Sequence, residues 1–161
     1  MSTPREGWQR LLAELAQRTE LAEAMGGPDK IERQHQRGKL TARERIAALC
    51  DPGSFVEYGA LAGGNHPGGD AALAGDGLVG GTGRIDGRSV VVIAEDFTVK
   101  GGSIGHPNAA KRARLVRLCL EQLLPLVLML DGAGERASNQ TERYPNTPGD
   151  LQLVALSLIH I

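Results

Sequence analysis

Asp96-Phe97-Thr98-Val99-Lys100-Gly101-Gly102-Ser103-Ile104-Gly105 joins the end of an apolar run to a glycine loop and then to a basic segment, an order suited to building a ligand site. The glycines let the main chain approach a ligand closely. Pro107 is well placed to open a helix whose first N–H groups would face an anion. A second glycine turn, Asp131-Gly132-Ala133-Gly134-Glu135-Arg136, closes a later apolar run. Free main-chain N–H groups held in this way present donors to an anion. Neither loop is a nucleotide fingerprint, because Gly81-Thr82-Gly83 is followed by Asp86 where GxGxxG needs its third glycine, and nothing fits GxxxxGK[ST]. Taken alone, glycine loops are also what ordinary tight turns require.

The elements that must carry these loops are legible from period and punctuation. Val90 to Ala94 is a β-branched run suited to a buried strand. Leu78 to Ile85 and Arg88 to Ala94 flank Asp86-Gly87, the dipeptide preferred in two-residue hairpin turns, so a β-hairpin is expected there. Asn108 to Leu124 follows as a helix with an expected buried stripe of Ala113, Val116, Leu120 and Leu123, and Leu126 to Leu130 is a short strand. Strand, helix, strand implies a right-handed crossover, so both glycine loops should leave the same edge of one parallel sheet, where ligands collect.

Upstream the chain reads as helical. Trp8, Leu11, Leu12 and Leu15, continued by Ala22 and Met25, recur at helical spacing until Gly26-Gly27-Pro28 stops the pattern. Thr41-Ala42-Arg43-Glu44 has the form of a capping box opening a helix with an apolar face of Ile46, Leu49 and Cys50, ended near Asp51-Pro52-Gly53. The charged run within Ile31 to Lys39 reads as an exposed helix surface. Ala60 to Gly77 is glycine-rich and without period, which marks a loop.

Composition excludes several classes. With 161 residues and 41% hydrophobic content the chain suits one sizeable core. Two Phe, two Tyr and one Trp supply few stacking platforms, and a net charge of -1 argues against a nucleic-acid binder. Cys50 and Cys119 stand far apart and the four histidines make no ligand spacing, so neither a metal nor a disulfide is expected. Met1 to Arg10 lacks the apolar stretch of a secretory signal and no run is long enough for a membrane span, which points to a cytoplasmic setting.

Leu40-Thr41-Ala42-Arg43-Glu44-Arg45-Ile46, Asp51-Pro52-Gly53-Ser54-Phe55-Val56-Glu57, Gly75-Asp76-Gly77-Leu78-Val79 and Asp96 to Gly105, in that order, resemble the carboxyltransferase β subunits of biotin-dependent acyl-CoA carboxylases of the propionyl-CoA, methylcrotonyl-CoA and acetyl-CoA type. The resemblance runs from about Ile31 to Ala155. It implies an α/β crotonase-like (ClpP/crotonase) fold, a spiral of ββα units, incomplete here and preceded by N-terminal helices. Residues 1–53 would be the helical segment, 54–155 the first part of the N-terminal carboxyltransferase domain, and 156–161, which resembles the translation of a sequencing adaptor, a non-native tail. The implied reaction moves a carboxyl group from carboxybiotin to the α-carbon of an acyl-CoA. The implied cofactor is biotin on a partner carrier domain, with a coenzyme A thioester as substrate. The implied partners are a biotin carboxylase or biotin carboxyl carrier subunit and, in the full-length protein, further copies of itself.

The resemblance assigns no catalytic side chain and carries over five binding positions: Gly101, Gly102 and Ser103 on the acyl-CoA side, and Gly134 with Arg136 in the second loop. For Arg136 a surface salt bridge is the competing reading. Lys111, Arg112, Arg114 and Arg117 form a basic helix stripe read first as a solvated face and second as a cradle for CoA phosphates. Lys100 stands where the family usually has an apolar residue, and Gly132-Ala133-Gly134-Glu135-Arg136 replaces the commoner Ser-Gly-Gly-Ala-Arg. A non-catalytic CoA-binding or assembly module of the same fold is the alternative reading; a neighbouring biotin carboxylase or carrier gene would favour the enzyme.

Overall fold

A computed structural model describes residues 3–63 and 74–136. Most of the glycine-rich loop and the segment expected to end in a non-native tail lie outside the described residues. Three helices come first: α1 (Pro4–Glu23), α2 (Pro28–Gln36) and α3 (Ala42–Leu49). Strands β1 (Val56–Glu57), β2 (Leu78–Ile85) and β3 (Arg88–Glu95) follow, then helix α4 (His106–Gln122) and strand β4 (Leu126–Met129). They build one sheet in the order β1-β2-β3-β4.

The sheet is mixed, which corrects the expectation of a parallel one. β1 to β3 are antiparallel neighbours, and only β3 and β4 run parallel, joined by the crossover through α4. The hairpin forms where Asp86-Gly87 calls for it, with φ of 49° and 75°, the two positive values that a type I′ turn needs. Asp51 holds this turn from outside, its two carboxylate oxygens accepting from the Asp86 and Gly87 N–H groups at 3.0 and 2.9 Å.

β3 is the centre of the core because both of its faces are covered. Val90, Val92 and Ala94 pack with Ala42, Ile46 and Cys50 on the α3 side, and Val91 and Ile93 pack with Leu115, Val116 and Cys119 on the α4 side. That explains a strand that is a continuous apolar run rather than an alternating one. Each such buried aliphatic side chain contributes roughly 1.5–3 kcal/mol. Burial also pushes the Cys119 thiol up to about 11, so it acts as a small apolar group.

Two expectations about helix faces need correction. α4 buries Asn108, Lys111, Arg112, Leu115, Val116 and Cys119, whereas Leu123, placed in the expected stripe, is 83% exposed. The buried line is rotated because Lys111 and Arg112 find carboxylate partners under the helix, so charge does not keep that side in water. In α1 the apolar row exists but is uncovered: Trp8, Leu11, Leu12 and Leu15 are all more than half exposed and only Ala22 is buried.

The capping box at Thr41 is complete. Glu44 N–H donates to Thr41 Oγ1 at 3.3 Å and Thr41 N–H donates to Glu44 Oε2 at 2.7 Å. His35 of α2 joins it, its Nε2 lying 2.9 Å from Glu44 Oε2. The His35 hydrogen bond, followed by that from the Thr41 N–H, holds the Glu44 carboxyl down from 4.5 to about 2. A depressed carboxyl stabilises the fold above its unfolded value, and the effect disappears as pH falls from 4.5 towards about 2. Glu44 is 43% exposed, so solvent screening limits the effect to at most about 1 kcal/mol. Glu44→Gln is therefore expected to reduce the fall in denaturation midpoint over that acid range. An unchanged pH dependence would show that other carboxyls dominate it.

Candidate functional site

Both glycine loops leave the carboxyl ends of parallel neighbours, β3 and β4, and they meet. The first is shaped by its own hydrogen bonds. Asp96 Oδ1 accepts from Thr98 N–H at 3.0 Å and from Thr98 Oγ1 at 2.6 Å, the turn an aspartate makes with its own downstream backbone. Burial raises the Asp96 carboxyl even so, opposed by the two Thr98 hydrogen bonds. A 3-10 turn over Lys100–Gly102 follows, with Ser103 Oγ donating to Lys100 O at 2.7 Å. The turn is also tied to the upstream helices, since Gly26 N–H donates to Thr98 Oγ1 at 3.0 Å.

The second loop lies alongside the first. Ala133 N–H donates to Gly101 O at 2.9 Å, Ile104 N–H to Gly134 O at 2.8 Å and Arg136 N–H to Ile104 O at 3.0 Å. These bonds make a short parallel bridge between Ile104 and Glu135. The approach is as close as glycine allows: a Cβ on Gly102 would overlap the Asp131 carbonyl oxygen, and one on Gly132 would lie 2.6 Å from Gly102 O.

All five positions singled out in the sequence therefore come together, with different roles. Gly102 and Ser103 are buried, and their N–H groups are spent inside the turn on Val99 O at 2.9 Å and Lys100 O at 3.3 Å. Gly134 is exposed with φ 90°, and its N–H makes no hydrogen bond among the described residues. Lys100, Ala133 and Glu135 are exposed beside it, and Gly101 is half-buried. Arg136 is a part-buried tie, not a surface salt bridge: Nη1 meets Asp76 Oδ1 at 2.6 Å, Nε donates to Ser103 Oγ at 3.0 Å and Nη2 to Ser103 O at 2.9 Å.

The start of α4 is not the open anion site expected from Pro107. Asp76 lies over it, its Oδ2 accepting from Asn108 N–H at 3.2 Å while its Oδ1 pairs with Arg136. A carboxylate of the chain itself thus takes the place an external anion would occupy.

The basic stripe on α4 divides in two, which corrects its reading as a solvated face. Lys111 and Arg112 are 6% and 8% exposed. Lys111 Nζ donates to Leu78 O at 2.7 Å and meets Glu57 at 3.2 Å, and Arg112 pairs with Glu95 at 2.5 Å. Burial pulls the Lys111 ammonium down, opposed by Glu57. Arg114 and Arg117 are exposed.

The residues missed in the sequence are the carboxylates at the strand ends. Glu95 closes β3 and Asp131 follows β4; Asp131 N–H donates to Glu95 Oε2 at 2.9 Å. The Asp131 carboxylate accepts from Gln34 Nε2 at 2.8 Å and Lys39 Nζ at 2.9 Å, so the segment Ile31 to Lys39 is not simply an exposed surface: Gln34 within it is 3% exposed. Arg37 and Lys39 also lie 5.9 and 5.6 Å from the centre of the Phe97 ring. The available signal was position, an acidic residue at the end of each of two apolar strands that precede glycine turns.

Among the described residues no group of three His, Cys, Asp or Glu side chains is placed to hold a metal, and no helix is long and apolar enough to cross a membrane. The exposed edge of Gly134, flanked by one lysine and the Glu135 carboxylate, suits a neutral carbonyl better than an anionic group.

Comparison with known proteins gives this geometry a family context. A family model described as the carboxyl transferase domain matches residues 33–150. The propionyl-CoA carboxylase beta chain of Cereibacter sphaeroides is 41% identical over 131 residues, which are 78% of this chain and 25% of that one. The biotin-dependent acetyl-/propionyl-coenzyme A carboxylase beta5 subunit of Mycobacterium tuberculosis is 45% identical over 128 residues, 78% of this chain and 23% of its own length. Among solved structures, transcarboxylase 12S with methylmalonyl-coenzyme A and methylmalonic acid bound superposes with a TM-score of 0.72 at 38% identity, over 84% of this chain and 26% of that one. The chain spans about a quarter of the length of the curated relatives it matches.

Proposed function

Because the chain belongs to the carboxyl transferase domain family, we propose that it supplies the acyl-CoA side of a carboxyltransferase subunit of a biotin-dependent acyl-CoA carboxylase. The fold is crotonase-like and incomplete, with one ββα unit in β2, β3 and α4 and the next strand begun in β4. The observation that carries the reading is the pairing of the two glycine loops at the carboxyl ends of β3 and β4, with Gly134 exposed and its N–H making no hydrogen bond among the described residues.

In this reading the thioester carbonyl of an acyl-CoA rests against that rim. An N–H aimed at the carbonyl oxygen stabilises the negative charge that would gather there as the α-carbon gives up its proton, and a fixed dipole needs no reorganisation to meet that charge. The proton would pass to the nitrogen that carboxybiotin would leave basic on releasing its carboxyl group. Gly101, Gly102, Ser103 and Arg136 act behind it: the first three form the turn on which the second loop is laid, and Arg136 ties that turn to Asp76. Biotin on a carrier subunit would supply the carboxyl group, and no residue of this chain is assigned to it. A biotin carboxylase or carrier partner, self-association of the whole protein and a cytoplasmic setting belong to the same proposal.

The test is carboxylation of acetyl-CoA and propionyl-CoA by the full-length protein with a biotinylated carrier, a biotin carboxylase and ATP, followed as labelled bicarbonate entering the acyl-CoA. Gly134→Val, which crowds the residue's own N–H, is expected to lower kcat by roughly 100-fold, the effect of removing one such donor. If the wild-type protein labels neither substrate, the proposal fails.

A further inference from the structure

We infer that Asp131 is a positioning residue through which Gln34 and Lys39 of the N-terminal helical segment hold the second glycine loop against the first. The inference rests on the acyl-CoA reading of that loop. Its structural half concerns residues of this chain alone.

Asp131 is the last residue before the loop turns outward, and every polar group it has on that side is engaged. Its N–H is fixed by Glu95, which is itself fixed by Arg112. Its carbonyl oxygen is packed against Gly102. Its carboxylate, 15% exposed, is gripped by a buried amide from α2 at 2.8 Å and by the Lys39 ammonium at 2.9 Å. Gln34 and Lys39 lie 97 and 92 residues away in sequence, so this contact does not arise from the local turn. Three residues further on stands exposed Gly134, whose N–H makes no hydrogen bond among the described residues and is the proposed donor. A loop of glycine and alanine has little side chain with which to hold its own shape, and small errors in the aim of a donor cost a large part of its effect. The carboxylate two bonds from the loop backbone is the anchor, and α2 holds it.

Loss of a salt bridge that served stability alone would lower the melting temperature and leave turnover per folded molecule unchanged. The position of the loop is read differently. In the full-length protein with its biotinylated carrier, Asp131→Asn is expected to lower kcat about 10-fold with the acyl-CoA KM changed less than about threefold. Lys39→Met should lower it less, Lys39→Arg should restore it, and Lys39→Met combined with Asp131→Asn should cost no more than Asp131→Asn alone, the signature of residues acting as a unit. Amide hydrogen exchange gives the readout that does not depend on activity. Asp131→Asn should speed exchange at Ala133 and Ile104, the amides that join the two loops, while the β3 amides stay protected. Unchanged exchange at those two amides, or additive losses in the double variant, overturns the inference. An inactive wild type with the exchange response present instead sinks the acyl-CoA reading and leaves the anchoring in place.

Discussion

Gly102→Ala is expected to lower the stability of the protein by about 3 kcal/mol, which combines a left-handed backbone penalty of roughly 1–2 kcal/mol with the strain of overpacking. Gly102 has φ 63°, and its missing Cβ is the space into which the Asp131 carbonyl is packed. Backbone cannot rotate aside as a long side chain does. The loops would separate, and with them the bonds from Ala133 to Gly101 and from Ile104 to Gly134. Gly134→Ala is the matched control. Its φ is 90°, yet nothing lies within 4 Å of the added methyl, so only the conformational penalty of about 1–2 kcal/mol applies. Denaturant midpoints of the two variants decide the point, and equal losses would show that loop contact is not why position 102 requires glycine.

The second large effect concerns the ion pair under the loops. Glu95 and Arg112 side chains are 6% and 10% exposed, and Arg112 Nε has no hydrogen-bond partner among the described residues. Removing Glu95 strands a guanidinium in the interior and also takes the acceptor from Asp131 N–H. Glu95→Ala is expected to cost about 3–5 kcal/mol. Glu95→Leu combined with Arg112→Met should recover much of that, because two apolar side chains bury no uncompensated charge. Thermal melts of the single and double variants test this. A double variant no more stable than the single would mean that the Asp131 hydrogen bond, and not the stranded charge, dominates.

Local chemistry was legible. Asp86-Gly87 announces a turn through the backbone angles it permits, and the Thr41 to Glu44 spacing announces a helix start through two reciprocal bonds, so both are readable from four residues or fewer. The meeting of the two glycine loops was also legible, because a right-handed crossover places the ends of β3 and β4 on one edge. What was not legible depends on distant partners. Lys111 is buried because Glu57, 54 residues earlier, is beneath it, and Asp131 is anchored because Gln34 of α2, 97 residues earlier, reaches its carboxylate. Period analysis assigns charged residues to water, so it rotates the α4 stripe away from Lys111 and Arg112 and onto Leu123. In the same way it cannot distinguish a covered apolar row from an uncovered one, and the row of α1 is uncovered.

The lone indole of this chain sits in that uncovered row, at Trp8, two-thirds exposed and far along α1 from buried Ala22. Its fluorescence consequently starts at the red limit set by water and has little further to move when the core melts. Emission from this chain is thus nearly blind to its own unfolding, and a shift toward the blue marks the arrival of an apolar neighbour on the first helix.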